Sequence, residues 1–296
     1  MSRFSPSEAA MAGFRLTRAW PGVMFAWSFV YFGGLLLITL TMMATLGPQF
    51  IALAQKGGLA PDDMEAVSAL LYQSGPGFIV VLLMTVMLVS VLTAGVMRLV
   101  LRPAEHGFAH LKLGKDELRL AAVNLAFVGF YVISVVAGLM VRTAFASSGP
   151  GLAFLVATLV VGVPTAWLGV RLCLLTPLTF DTRRISFREG FALSRGLGWP
   201  LFGMIALAVI FYVMVWIVFF IVSLVLVELS GGQRAMQDIA ALTPLTAVAT
   251  IISIVMQFLL QILQIVMIYG PFAVAYREIR DGAAAPPPGP QRNLFP

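Results

Sequence analysis

The chain has 296 residues, of which 60% are hydrophobic and 11% charged, with a mean hydropathy of +0.96 and a formal net charge of +6. Soluble domains carry about 25% charged residues, so this composition excludes a water-soluble core. The length, nearly consumed by apolar stretches and their connectors, leaves no room for a separate catalytic domain.

Apolar stretches whose centres carry no charge occupy residues 21–46, 78–97, 118–141, 152–174, 200–227 and 243–275. Each reaches or nearly reaches the roughly 20 residues that cross the hydrocarbon core at about 1.5 Å rise per residue. The expected fold is an all-α, six-span polytopic bundle. It forms one integral membrane domain over residues 1–281, and the Pro-rich residues 282–296 form a disordered cytoplasmic tail.

Ahead of span one lie Arg3, Arg15 and Arg18, and Ser5-Pro6-Ser7-Glu8 has the form of a capping box, in which the Ser hydroxyl and the Glu carboxylate exchange backbone donors. Trp20-Pro21 then enters the membrane, Trp at headgroup level and Pro in the first helical turn. The first stretch outruns a signal-peptide core and ends without a small-x-small cleavage pattern, so it is expected to be a span. In the connector that follows, Pro61, Asp62, Asp63 and Glu65 with Met64, Val67, Leu70 and Leu71 predict a short external amphipathic helix.

Between spans two and three stand Arg98, Arg102, Lys112, Lys115 and Arg119. Arg102-Pro103-Ala104-Glu105 keeps part of the capping pattern, and Asp116-Glu117 suits a helix N-terminus. His106 and His110, at i and i+4, would share one face of a helix and form a weak candidate metal pair. A zinc site takes three or four ligands and no further His is available, so no metal and no other cofactor is expected. Cys173 is alone, which rules out an intramolecular disulfide. In span four, Gly162 and Pro164 mark a kink, with Gly162 and Ala166 as a small pair for close packing.

The connector after span four carries Arg171, Arg183, Arg184, Arg188 and Arg195, and its Ser186-Phe187-Arg188-Glu189 again fits the capping box. Glu189-Gly190-Phe191-Ala192 echoes Glu105-His106-Gly107-Phe108-Ala109, and Trp199-Pro200 echoes Trp20-Pro21. These echoes predict three tandem units, each an interfacial helix followed by a transmembrane hairpin. In the third, Phe187, Phe191, Leu193 and Leu197 share one arc and Arg188, Glu189 and Arg195 the other. Along span six, Thr246, Thr250, Ser253, Gln257, Gln261 and Gln264 step by 3 or 4 residues and make one polar stripe, which either links helices by hydrogen bonds or lines a polar path.

Sixteen of the 19 Lys and Arg residues fall before span one, in the two connectors just described and after span six; Lys56, Arg142 and Arg234 are left for the other side. By the positive-inside rule both termini are cytoplasmic. Basic residues spread over four segments fit anionic lipid headgroups better than nucleic acid, and Arg98, Arg102, Lys112, Arg171, Arg184, Arg188 and Arg195 are the candidate lipid contacts. No span centre holds an ionisable side chain; Arg98, Arg142, Arg171 and Glu228 lie at span ends, where snorkelling is expected to keep them in water.

The run from Arg171-Leu172 through Pro177 to Phe187-Arg188-Glu189-Gly190-Phe191-Ala192-Leu193-Ser194-Arg195-Gly196 and Trp199 resembles the polytopic membrane domain of some bacterial glycerophosphodiester phosphodiesterases and of related stand-alone membrane proteins. The resemblance implies a bacterial inner-membrane protein. It does not bring the phosphodiesterase chemistry, which belongs to a soluble domain with several His and acidic residues, whereas this chain has two His. No catalytic constellation of nucleophile, base and orienting group is present in the sequence. The expected function is non-enzymatic lipid handling or membrane organisation. The alternatives are a small-solute or lipid transporter using the polar stripe, with Ser253, Gln257, Gln261 and Gln264 as its path, and an accessory subunit of a partner enzyme such as a glycerophosphodiesterase.

Overall fold

In the computed structural model of the protein, residues 4–55, 64–105, 108–229 and 243–284 are described. Among them no β-strand forms, and six helical segments are long and apolar enough to cross a membrane: Pro21–Pro48, Ser74–Leu101, Lys115–Ala144, Pro150–Thr182, Gly198–Leu229 and Pro244–Gly282. The chain is an all-α, six-span, multi-pass membrane protein. His106, Lys56, Asp62, Asp63, Arg234 and residues 285–296, which hold most of the expected tail, lie outside the described residues.

Two short helices, α1 (Pro6–Ala10) and α2 (Ala12–Ala19), lead into the first hairpin, α3 (Pro21–Gln55) and α4 (Met64–Leu101). Met64 and the residues after it belong to α4, so no separate external helix forms there. The second hairpin is α5 (Lys115–Ala144) against α6 (Pro150–Ala157) and α7 (Val163–Leu172), which are joined by a π-helical turn over Thr158–Gly162. Pro164 accounts for that turn: its nitrogen cannot donate to the carbonyl four residues back and its ring crowds it, so the ladder widens and the span bulges without breaking. Then come α8 (Leu175–Thr182), α9 (Phe187–Leu193) and the third hairpin, α10 (Gly198–Leu229) with α11 (Pro244–Ala284).

The starts of α3, α5 and α10 and the ends of α4, α7 and α11 gather at one end of the bundle, the basic end. Both described termini are there too: the Ser5 backbone N–H donates to Glu278 Oε2 at 3.5 Å, and Arg277 donates to the Val100 carbonyl. The core occupies the same end, where Met97, Leu120, Leu174, Phe180, Leu201 and Met204 are buried together. Burial is uneven: 44% of the apolar window of the second span and 33% of the sixth is buried, against 17%, 11% and 6% for the third, fourth and fifth. Helices α4 and α11 are therefore the axis of the bundle.

The first segment meets its expectation only in part. Its helices form, but Ser5 makes no cap bond, and Ala9, Ala10 and Ala12 are buried against the bundle where an interfacial helix would present them to headgroups. In the third segment the Ser186 hydroxyl does accept from the Glu189 N–H, at 3.4 Å. The second segment is not helical among its described residues: 102–105 and 108–114 make turns and irregular backbone, and Ala109 and His110 both take positive φ, at 47° and 60°. Two side chains fasten this turn. Trp27 Nε1 donates to the Ala109 carbonyl at 2.8 Å and Arg98 Nη1 to the His110 carbonyl at 3.1 Å, so tertiary bonds replace the helical ladder.

Helix α2 crosses α11 at two glycines. A Cβ on Gly13 would lie 2.8 Å from the Met267 Cα, an atom that cannot turn aside, whereas one on Gly270 would press on the tip of Leu16 at 3.1 Å and rest in ordinary contact with the Gly13 backbone at 3.5 Å. Gly13→Ala is accordingly expected to destabilise the protein by about 1–3 kcal/mol, the usual cost of overpacking, and Gly270→Ala to be tolerated. Thermal unfolding of the two variants in the same detergent checks this; equal melting temperatures would refute the close crossing.

Candidate functional site

The basic end is closed by a buried ion pair. Arg98 on α4 and Glu117 on α5 are 2% and 1% exposed and bond directly to one another. Glu105 lies 3.7 Å from Arg98 Nε, and the guanidinium stands 5.6 Å from the centre of the Phe180 ring. Arg98 thus does not snorkel into water, contrary to the expectation from its place near a helix end, and it offers no surface to a headgroup. Arg102 is engaged as fully: it donates to the Phe180 and Asp181 carbonyls at 2.9 and 3.2 Å, pairs with Glu105 and Asp116, and stacks 4.7 Å from the same ring. Asp181 in turn accepts from Tyr276 and Arg280, both at 2.9 Å. Helix α8, buried from Leu175 to Phe180, is held in this network like a plug between α4, α5 and α11.

Beneath the plug lies a cleft of about 660 Å³. Val86 and Val89 of α4, Asn124 and Phe127 of α5, Val170 of α7, Ile205 of α10 and Phe272 of α11 are among its walls, and Cys173 and Thr176 close it toward α8. Its rim residues Leu82 and Phe202 are 37% and 48% exposed, so it opens on the lateral surface of the bundle, toward the membrane interior. No charged side chain lines it. The polar groups it does contain are mostly satisfied locally: Asn124 Nδ2 donates to Ser90 Oγ at 2.8 Å and Ser90 to the Val86 carbonyl at 2.6 Å. Asn124, Ser90 and Trp27 do not stand out in the sequence by charge or periodicity; the signal it does hold is a lone Asn within span three.

The polar stripe of α11 does not open onto a comparable space. Ser253 and Gln257 face α10 across a cleft of about 100 Å³ that Trp216, Phe219 and Phe220 wall in, and the Ser253 hydroxyl is buried without a partner among the described residues. Gln261 and Gln264 lie outside that cleft and bond to each other at 3.0 Å. Ligand sites usually measure about 300–1,000 Å³, a range that includes the apolar cleft and excludes this one.

Of the basic residues proposed for lipid contact, Lys112, Arg184, Arg188 and Arg195 are exposed and form no ion pair among the described residues. Arg171 is half-buried: its guanidinium lies 4.9 Å from the Phe191 ring, and Nε and Nη1 are covered. His110 is buried, with Nδ1 3.1 Å from the Glu105 carbonyl and its ring edge-on to Trp20. Residues 108–111 make a turn, and His106, the other member of the expected pair, lies outside the described residues. Among the described residues no group of three His, Cys, Asp or Glu side chains converges as a metal site would require.

No family model, no curated protein and no solved structure matches this chain.

Removing one partner of a buried ion pair strands the other charge and typically costs about 3–5 kcal/mol, while replacing both by apolar side chains is often neutral. Arg98→Met and Glu117→Leu are each expected to lower the melting temperature sharply, and the double variant to recover most of the loss. Thermal unfolding of the three variants decides it; additive losses in the double variant would show that the pair is not coupled.

Proposed function

We propose that the protein is a non-enzymatic, lipid-handling protein of the bacterial inner membrane, with both termini in the cytoplasm. The observation that carries the reading is the contrast between the spaces inside the bundle: the large lateral cleft is apolar and uncharged, and the polar stripe opens onto only about 100 Å³. An apolar recess of about 660 Å³ open to the hydrocarbon core suits an acyl chain. A charged or strongly polar solute would have to shed its hydration there without replacement bonds, at several kcal/mol. The exposed cations Lys112, Arg184, Arg188 and Arg195 at the basic end fit attraction to anionic headgroups at about 1 kcal/mol each.

Gly169 supplies the test of the cleft. It lines the cavity and a Cβ there meets nothing within 4 Å, so Gly169→Phe fills the space without a clash. Wild-type protein extracted into native nanodiscs is expected to carry glycerophospholipid enriched over the bulk membrane, and the variant to lose that enrichment at unchanged thermal stability. Bulk composition around the wild type would overturn the lipid reading, and a stoichiometric second protein would replace it by an accessory-subunit role. The transport alternative is separated by changing Gln257, Gln261 and Gln264 together to Leu. At about 0.6 kcal/mol per interhelical contact the loss is about 2 kcal/mol, and the lipid reading expects full complementation of a deletion strain. Lost complementation at normal stability would favour a polar path.

Orientation is tested separately. A fluorescent tag after Arg280 is expected to fold and an alkaline phosphatase inserted at Ser147–Ser148 to be active, because the basic residues concentrate at the opposite end of the bundle from that turn. Active phosphatase at Arg183–Arg184 would reverse the assignment.

A further inference from the structure

A second recess, of about 600 Å³, runs along α3 and α4 on another face of the bundle. Its floor is made by absence: Gly33 has nothing within 4 Å of where a Cβ would stand, and at Gly34 the missing side chain is replaced by Leu88 from α4. Met84, Met87, Val30 and Leu37 form the walls, apolar and in part flexible. At the basic end the groove does not run out into solvent. It stops under the turn at 108–113, which contributes Phe108, Leu111, Lys112 and Leu113.

That turn is rigid and oddly composed. The Trp27 and Arg98 bonds to the carbonyls of Ala109 and His110 fix its backbone, and Leu111 N–H closes on the Phe108 carbonyl at 2.9 Å. Phe108 and Leu113 are nonetheless 76% and 78% exposed, on either side of Lys112. Two large apolar side chains held outward beside a Lys suit neither open water nor the hydrocarbon core. They suit the interface, with the rings and methyls among glycerol and upper acyl groups and the ammonium at phosphate level. Lys112 is the one charged group lining the groove, it is exposed, and it makes no ion pair among the described residues.

We propose that this groove binds one molecule of an anionic glycerophospholipid, with one acyl chain along Gly33 and Gly34 between α3 and α4 and the headgroup phosphate on Lys112. The site is distinct from the cleft beneath α8 and deepens the lipid-handling reading by adding headgroup selectivity, which the uncharged cleft cannot supply. It rests on that reading only in placing the six helices in a bilayer of ordinary glycerophospholipids.

The test uses the full-length protein in nanodiscs of equimolar phosphatidylcholine and phosphatidylglycerol, each lipid supplied in turn with a photoactivatable group in its acyl chain, and peptide mapping of the crosslinks. Phosphatidylglycerol is expected to label Met84, Met87 and the Gly33–Leu37 stretch in preference to phosphatidylcholine. Gly33→Phe, which has open space for its ring, is expected to abolish that labelling with the melting temperature kept. Gly129→Phe, an equally open glycine on α5 outside the groove, is expected to leave it unchanged. Lys112→Glu, which removes one attraction worth about fivefold and adds a repulsion, is expected to reduce the preference for the anionic lipid at least about fivefold while labelling persists. Equal labelling by both lipids, or a preference that survives Lys112→Glu, overturns the headgroup assignment. Labelling that survives Gly33→Phe overturns the groove. Crosslinks confined to Asn124, Phe127 and Val170 would reject this site and leave the lipid reading standing, whereas crosslinks spread evenly over all lateral faces would reject both.

Discussion

The bond between Arg98 and Glu117 is the constraint from which the rest of the basic end follows. Two full charges taken out of water are each costly by several kcal/mol, and they persist only where geometry and further hydrogen bonds compensate. Here the compensation dictates the neighbourhood. Arg98 needs the His110 carbonyl and so draws the connector between α4 and α5 down onto the bundle, and it needs a partner on α5, which fixes the depth at which that helix starts. Phe180, wedged against Arg98 and Arg102, brings α8 in under the same guanidinium groups, and Asp181 passes the connection to α11 through Tyr276 and Arg280. Helices distant in sequence are thereby tied at one level.

Among the described residues no ion pair ties the opposite half. The span centres carry no charge, and α10, the most apolar of the helices, has only 6% of its window buried. Between apolar helices in a bilayer there is no hydrophobic drive to associate, because lipid tails are as good a neighbour as another helix; packing of small residues and interhelical hydrogen bonds must do it. Among the described residues these features are unevenly distributed: Gly77 of α4 packs closely on Thr45 and Leu46 of α3 and Asn124 bonds Ser90 between α5 and α4, whereas a small polar cleft lies between α10 and α11. With charge tying the bundle at one end alone, the apolar recesses lie open on its lateral faces.

This division also explains what could be read from the sequence. Span number and approximate limits were legible because the length of an apolar stretch is a local property, and the π turn was foreshadowed by Gly162 and Pro164 for the same reason. The Ser186 cap was local as well, and it formed. The described residues of the connector between α4 and α5 form no helix because Arg98 and Trp27, residues outside it on two different helices, hold its carbonyls, and no periodicity within it records their reach. Arg98 was misjudged for a related reason: a charge near a helix end has a free path to water unless another element covers it, and the cover comes from α5 and α8. The polar stripe was visible as a spacing, but the size of the space before it depends on Trp216, Phe219 and Phe220 of a different span.

The same ion network also sets the closed end of both recesses. The cleft among α4, α5, α7, α10 and α11 stops at Cys173 and Thr176, where α8 is held by Phe180 and Asp181. The groove of α3 and α4 stops at Leu111 and Lys112, in the turn that Arg98 holds by the neighbouring carbonyl. Arg98 lies between them and belongs to neither. A cation that looks wasteful by its burial alone therefore acts as a depth gauge. It stands behind the closed ends of two apolar spaces, while Lys112, Arg184, Arg188 and Arg195 remain exposed at the same basic end of the bundle.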